Sequence, residues 1–251
     1  MWSIFVLILI CVSAPSLVDG LRKGEYGTKA TFYPSTWLNY PRLMVVRSLP
    51  DMDEFTLCFW VKITDAVKRS HFIFSYAVGK NIDSNEIVAY IDLTSSDPQI
   101  KIFVAGKLGF MTCPAFSIGT WHKVCITWRS LDGRVGFFVD TDLCCDEVKG
   151  VAMGKSVRSG GVVVLGQEQD KVGGKFSPHQ SLIGDLMQLH FWNTCLNNDQ
   201  IQRTSSCLSR ACNSSPCCYK DEEIKGTIID WFHTEFRAYD GVSLSSSTVC
   251  K

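Results

Sequence analysis

Short runs rich in β-branched and aromatic residues alternate along the chain with clusters of Gly, Asp, Asn, Ser and Pro, which is the punctuation of an all-β protein. The pattern predicts strands over residues 56–61, 71–78, 86–93, 100–104, 122–128, 134–139, 161–165, 186–192 and 226–231. Asp132-Gly133 falls between two of these runs and signals a hairpin, while Gly173-Gly174 marks a loop that needs unusual backbone angles. No long helical period competes with the strands. A single helix is predicted from residue 198 to about residue 206, with Asn198 or Asp199 capping the first turn ahead of Ile201. No internal repeat is visible, nor any linker long enough to force two domains, so many short strands predict a two-sheet sandwich or jelly roll.

The first residues follow a different rhythm. Met1-Trp2-Ser3 precedes an apolar run over residues 4–14 and then small and polar residues, so residues 1–20 read as a secretory signal peptide. Cleavage after Gly20 places Val18 three residues before the cut and leaves residues 21–251 as one domain. The run is too short for a membrane span, and the expected location is extracellular.

Composition narrows the partners. Twenty-five Lys and Arg balance 25 Asp and Glu among 251 residues, so no broad basic field exists for nucleic acid or an anionic membrane, and a charged ligand must be met by a local site. A hydrophobic content of 46% argues against disorder. The 12 cysteines are the one excess; Cys11 leaves with the signal, and the odd remainder requires a free thiol or a bond to another chain. A zinc site at Cys207, Cys212, Cys217 and Cys218 is the competing reading, but the spacing lacks paired C-x2-C units and the exported context opposes it. No Gly-x-Ser-x-Gly elbow, His-Glu-x-x-His helix or phosphate-cradling glycine loop is present, and His122 beside Trp121 reads as a strand-edge residue rather than a base. The chain is therefore expected not to be an enzyme. A jelly-roll glycosidase using Glu168 and Asp170 as its carboxylate pair is the catalytic alternative.

Three blocks of residues carry a family resemblance. Cys125-Ile126-Thr127-Trp128-Arg129-Ser130 resembles the core of the pentraxin signature, His-x-Cys-x-Ser/Thr-Trp-x-Ser/Thr, with Lys123 at the signature histidine and His122 one residue earlier. Val163-Val164-Leu165-Gly166-Gln167-Glu168-Gln169-Asp170, Gly173-Gly174-Lys175-Phe176 and Gln180-Ser181-Leu182-Ile183-Gly184-Asp185 resemble the central segment of that family. Phe74-Ser75-Tyr76-Ala77 followed by Asn85-Glu86-Ile87 is a further matched block. Phe191-Trp192-Asn193-Thr194 and Phe236-Arg237-Ala238-Tyr239-Asp240-Gly241 resemble in particular the horseshoe-crab C-reactive protein branch, and the likeness spans essentially the whole mature chain.

The resemblance implies a flattened jelly roll of the concanavalin-like kind, one helix on one face, a calcium-dependent ligand site on the other, and assembly into cyclic homo-oligomers. Residue by residue it names Asn85, Glu168, the backbone carbonyl of Gln169, Asp170 and Gln180 as calcium ligands. By itself an acidic loop after a strand is usually a solvated turn, although two carboxylates with carbonyls between them are the hard oxygen donors calcium selects. Two positions depart from the family pattern. Ser84 stands where an Asp is expected, with Asp83 as a nearby substitute, and Ser177 stands where a second acidic residue is expected, which predicts a weakened or single-calcium site.

The implied ligand pocket departs as well. Tyr90 serves as its aromatic wall, Leu108 takes the place of the acidic residue that would face a quaternary ammonium, and Lys107 lies beside it. A cation there disfavours choline and favours an anionic group. The alternative is that Tyr90 is a sheet-face aromatic and Lys107 a solvated turn residue.

The resemblance also implies the disulfide Cys58–Cys125, a bridge from Cys113 to Cys144 or Cys145, and one from Cys207 to Cys250. Cys195, Cys212, Cys217, Cys218 and the remaining one of Cys144 or Cys145 stay unassigned, and their odd number raises a disulfide-linked assembly. Asn213-Ser214-Ser215 is the only N-glycosylation sequon. The expected function is innate-immune recognition of microbial or cell-surface glycans and phospho-headgroups, including sialic acid, lipopolysaccharide sugars, phosphoethanolamine and phosphocholine, by a multivalent calcium-dependent lectin. The alternative is a calcium-independent, membrane-acting (haemolytic) oligomer.

Overall fold

The computed structural model describes residues 28–79, 85–140, 142–143, 147–204 and 224–247. The signal segment, Asp83, Ser84, Cys144, Cys145, Cys207, Cys212, Asn213, Cys217, Cys218 and Cys250 lie outside them. Two antiparallel sheets face each other. The first runs in the order β10 (Asp142–Leu143), β9 (Arg134–Val139), β8 (His122–Arg129), β3 (Glu54–Ile63), β12 (Gly184–Trp192), β1 (Thr28–Phe32) and β15 (Ser243–Ser246), with β13 (Ile229–Asp230) paired to β12. The second runs β14 (Phe236–Tyr239), β2 (Arg42–Val45), β11 (Val162–Leu165), β4 (Ser70–Ala77), β5 (Asn85–Asp92), β6 (Gln99–Val104) and β7 (Lys107–Thr112).

The alternation in β6 shows why the second sheet has a wet face: Ile100, Ile102 and Val104 are buried, whereas Gln99, Lys101 and Phe103 are only half-buried. Between the sheets, stacked rings tie the layers together. Phe191 of β12 lies 5.3 Å from Phe55 of β3 and 5.5 Å from Phe74 of β4.

β3, β8 and β12 are buried on both faces because a second apolar cluster covers the far side of the first sheet. It joins Cys58, Cys125, Phe138, Trp192 and Leu196 to Ile201 of helix α1 (Asn198–Arg203). The helix begins at Asn198 as expected, but its cap is the residue before, not Asn198 or Asp199. Asn197 is the cap: its side chain accepts from Gln200 N–H at 2.9 Å while Gln200 Oε1 accepts from Asn197 N–H at 2.9 Å, a complete capping box. It ends sooner than expected, at Arg203, because Thr204 turns extended and Lys123 takes the terminal carbonyls of Ile201, at 2.8 Å, and of Thr204. Lys123, at the signature histidine position, is thus a buried cation stabilised by the negative end of the helix.

The strand expected over residues 226–231 is reduced to β13. Asp230 ends it by folding the chain into a turn: its Oδ1 accepts from Phe232 N–H at 3.0 Å and its carbonyl from Thr234 N–H at 2.8 Å. The hairpin at Asp132-Gly133 forms, with Arg129 paired to Arg134. Among the described residues no helix is long and apolar enough to cross a membrane.

Candidate calcium and ligand site

Asn85 opens β5 and reaches the loop that follows β11, where its Nδ2 donates to Glu168 Oε1 across 2.6 Å. The loop is pre-shaped by its backbone. Glu168 N–H donates to the Gln180 carbonyl and Leu182 N–H to the Gly166 carbonyl, each at 2.9 Å, and Gln167 bridges Ser181. Gly166 sits at φ +83°, and a Cβ there would lie 2.2 Å from Phe32 Cε1, so only glycine lets the chain pass. The Gln169 side chain is an anchor rather than a ligand. Its Nε2 donates to the carbonyls of Ser75 and Val162, both at 2.9 Å, and its Oε1 accepts from Gly173 N–H at 2.7 Å.

Two oxygens are left over. Glu168 Oε2 and Asn85 Oδ1 are buried and, among the described residues, accept no hydrogen bond. Buried acceptors normally have donors, so a pair of orphan oxygens on hydrogen-bonded neighbours, one of them a carboxylate, suits a hard cation. Burial pushes the Glu168 carboxyl up, the Asn85 bond pulls it down, and Asp170 pushes it up again; a dication would offset the burial penalty. Asp170 and Gln180 are half-buried on the same loop. Asn85 and Glu168 thus fit a hard cation such as calcium, and Asp170, Gln180 and the Gln169 carbonyl would be the loop oxygens available to complete its shell. Among the described residues no three His, Cys, Asp or Glu side chains form a metal-holding group, so the fit rests on two carboxylates supplemented by amide oxygens. Ser177 adds no charge: its Oγ accepts from His179 N–H at 3.3 Å and its carbonyl takes Gln180 N–H at 3.0 Å, bracing the turn that presents Gln180.

Tyr90 lies on the open face of the second sheet, stacked on Phe72 at 4.7 Å and on Phe103 at 6.3 Å. Burial pushes its phenol up to about 12, with Asp92 adding to the shift. Leu108 pairs with Phe103 and shares this face; Lys107 pairs with Val104, and the pleat sends it to the opposite side. The cation against the Tyr90 ring is instead Lys101, 6.0 Å from its centroid and 5.6 Å from that of Phe110. Lys101 is itself neutralised by Asp92 at 2.6 Å. Burial pushes Asp92 up, but the bonds from Lys101 and Thr94 win and hold it down at about 2. The charge expected of Lys107 therefore belongs to Lys101, one strand inward and paired with Asp92 of β5, and Leu108 and Phe110, 42% and 48% exposed, extend an apolar surface beside the stack. Phe72, Lys101, Phe103 and Phe110 were not singled out by the sequence, although Lys101 and Phe103 are the outward positions of a strand it did predict.

His122 stands at the end of β8 as expected, and it is buried there. Its Nδ1 meets Asp140 Oδ2 at 2.7 Å and its Nε2 accepts from both the N–H and the hydroxyl of Ser117 at 3.0 Å. The ring is buried against Phe116 at 4.7 Å, and its one free lone pair is taken by a backbone donor, so this Ser–His–Asp line ties a loop to β8. Cys58 and Cys125 form a disulfide across paired positions of β3 and β8. Cys113 is also disulfide-bonded, and both partners expected for it lie outside the described residues. Cys195 is a free thiol, pushed up by burial.

The Pentaxin family profile matches residues 29–246. C-reactive proteins 1.1 and 3.3 of Limulus polyphemus are each 40% identical over 234 residues, spanning 93% of this chain and 91% of theirs. The solved native heptameric SAP-like pentraxin from Limulus polyphemus superposes with a TM-score of 0.78 at 26% identity, over 93% of this chain and 99% of that one. The two-sheet fold, the Cys58–Cys125 bridge and this likeness along nearly the full length together place the chain in the Pentaxin family.

Proposed function

We propose that this pentraxin is a secreted innate-immune recognition protein that binds anionic groups on microbial or cell surfaces through calcium. The observation that carries the reading is the Asn85–Glu168 pair, whose two orphan oxygens have no donor among the described residues. Calcium held there would present open coordination positions to a carboxylate or phosphate, as in sialic acid, lipopolysaccharide sugar acids, phosphoethanolamine or phosphocholine. The Phe72–Tyr90–Phe103 stack supplies an apolar wall for the rest of the ligand. Secretion is supported by the apolar run at residues 4–14 and by the disulfide at Cys58–Cys125. A homo-oligomeric ring is supported by the heptameric assembly of the Limulus relative. In a ring, weak sites gain by avidity, since each further contact is effectively intramolecular.

The test is calcium titration by calorimetry on the purified oligomer, then retention on sialylated and phosphoethanolamine resins with and without chelator. Saturable uptake with chelator-sensitive retention supports the reading. An intact oligomer that takes up no calcium overturns it and leaves the calcium-independent alternative.

A further inference from the structure

The segment between β1 and β2 carries an unusual apex. Thr36 and Asn39 pair through two backbone hydrogen bonds, at 2.9 and 3.3 Å, and the two residues between them are Trp37 and Leu38, 69% and 96% exposed. Tyr33, 51% exposed, flanks the turn. Single exposed hydrophobes are ordinary, but two adjacent large ones at a tip, with an aromatic neighbour, form a patch that calls for a partner.

The tip is rigid. Leu38 N–H is taken by Thr36 Oγ1 at 3.3 Å, and the Trp37 carbonyl accepts from the Tyr40 hydroxyl at 3.0 Å. With both backbone groups of Thr36 and Asn39 also paired, most of the turn's polar backbone is satisfied within the protein. Such a tip enters a low-dielectric layer at little desolvation cost.

Its place in the molecule selects the layer. Trp37 meets His179 edge-on at 6.0 Å, Tyr40 lies 5.9 Å from Phe176, and Gln167 Nε2 donates to Ser35 Oγ at 2.6 Å. The turn is thus built onto the same loop that carries Glu168, Asp170 and Gln180. The exposed cationic side chains of that loop are Lys171 and Lys175, with His179 beside the Trp37 ring. The apolar tip, the two exposed lysines and the candidate calcium carboxylates Glu168 and Asp170, whose charge a bound calcium would offset, share one loop and the turn docked on it.

We infer that the Trp37–Leu38 turn inserts into the headgroup region of an anionic phospholipid membrane when the calcium loop engages it. The choice of a lipid occupant rests on the reading of that loop given above; the exposed turn itself does not. Trp and Tyr favour the interface between apolar and aqueous phases, and a narrow projecting tip fits a fluid layer. Burying even half of the Leu38 side chain corresponds to about a tenfold gain in affinity per subunit, multiplied across a ring.

The experiment compares the full-length oligomer with its Trp37→Ala/Leu38→Ala variant. It measures co-sedimentation with vesicles of phosphatidylcholine and phosphatidylserine in calcium and in chelator, retention on phosphoethanolamine resin, and oligomer mass by ultracentrifugation. Both changed side chains are exposed, so the variant folds. The expected result is a loss of vesicle affinity of about tenfold or more, with resin retention and oligomer mass unchanged. Equal vesicle affinity with normal resin retention overturns the inference while sparing the calcium reading. Vesicle binding that needs the turn but ignores chelator keeps the lipid contact of the turn but overturns both the calcium reading and its coupling to insertion. A variant that falls to smaller assemblies assigns the turn to a second copy of the chain, and a parent protein that ignores vesicles altogether excludes a lipid occupant.

Discussion

Asn85 and Glu168, 83 residues apart in the chain, are joined by a 2.6 Å hydrogen bond that leaves one oxygen on each without a donor among the described residues. The bond fixes both side chains before any cation arrives, which lowers the ordering cost of binding one. Glu168→Gln removes the charge while keeping the shape, and it abolishes measurable calcium uptake in calorimetry. In metal-free buffer the same variant is at least as stable as the parent, because an uncompensated buried carboxylate is replaced by a neutral amide. A variant that still takes up calcium with parental affinity would remove Glu168 from the site.

Tyr90 separates ligand contact from metal binding. Tyr90→Ala removes the ring between Phe72 and Phe103 and weakens resin retention by about tenfold, a loss of ~1.4 kcal/mol. Calcium uptake stays at the parental value, since no proposed ligand oxygen touches the ring. Parental retention in this variant would move the ligand wall elsewhere.

Gly166→Ala tests the shape of the loop. The new Cβ meets Phe32 and the residue is forced to keep φ +83°, so stability falls by about 2 kcal/mol or more in denaturant unfolding. Calcium affinity falls with it, because Gly166 anchors the Leu182 N–H that aligns the two halves of the loop. A stable variant with normal uptake would show that the loop finds its shape without this glycine.

His71 makes the fold acid-sensitive. It is buried in β4, its Nδ1 accepts from Ile183 N–H at 3.4 Å, and burial, aided by Arg69, pushes it from 6.5 down to about 4. A base depressed in the folded state is protonated more readily when unfolded. Its contribution is therefore complete above pH 6.5 and drains away as pH falls toward about 4, amounting to at most about 3 kcal/mol. Thermal unfolding between pH 7 and pH 4 should show this decline, and His71→Leu should flatten part of it; His190, also pushed down by burial, supplies the rest. An unchanged slope in the variant would exonerate His71.

Replacing both Cys58 and Cys125 with Ala opens a link of 67 residues. The chain-entropy account puts the loss at about 4 kcal/mol. The helix should suffer first, since Thr204 and Ile201 pack against this bridge. Hydrogen exchange across residues 198–204 reads that order; uniform loosening of the whole sandwich would contradict it.

Periodicity in the sequence was enough to place the strands with a continuous apolar or alternating face, because burial between two sheets leaves that mark directly on the chain. β3, β4, β5, β6, β8, β9, β11 and β12 all fall where it predicted them. The strands it passed over are β1, β2, β7, β10, β14 and β15, all near or at the edges, where one neighbour or one face suffices and sequences such as Ser243-Leu244-Ser245-Ser246 carry no periodic signal. Resemblance to the pentraxins supplied the identities of Asn85, Glu168, Asp170 and Gln180. Tertiary structure decided what their neighbours do: that Gln169 anchors its loop, that Ser177 braces a turn, and that Asn85 and Glu168 leave two oxygens unspent. It also exchanged Lys107 for Lys101 at the Tyr90 ring, because a pleat reverses direction at every residue and only strand register reveals which side faces the ligand. The cation at Lys123 is likewise invisible in the chain, since it depends on helix carbonyls brought close by folding, whereas the Asn197-x-x-Gln200 box is a local signal that the chain did carry.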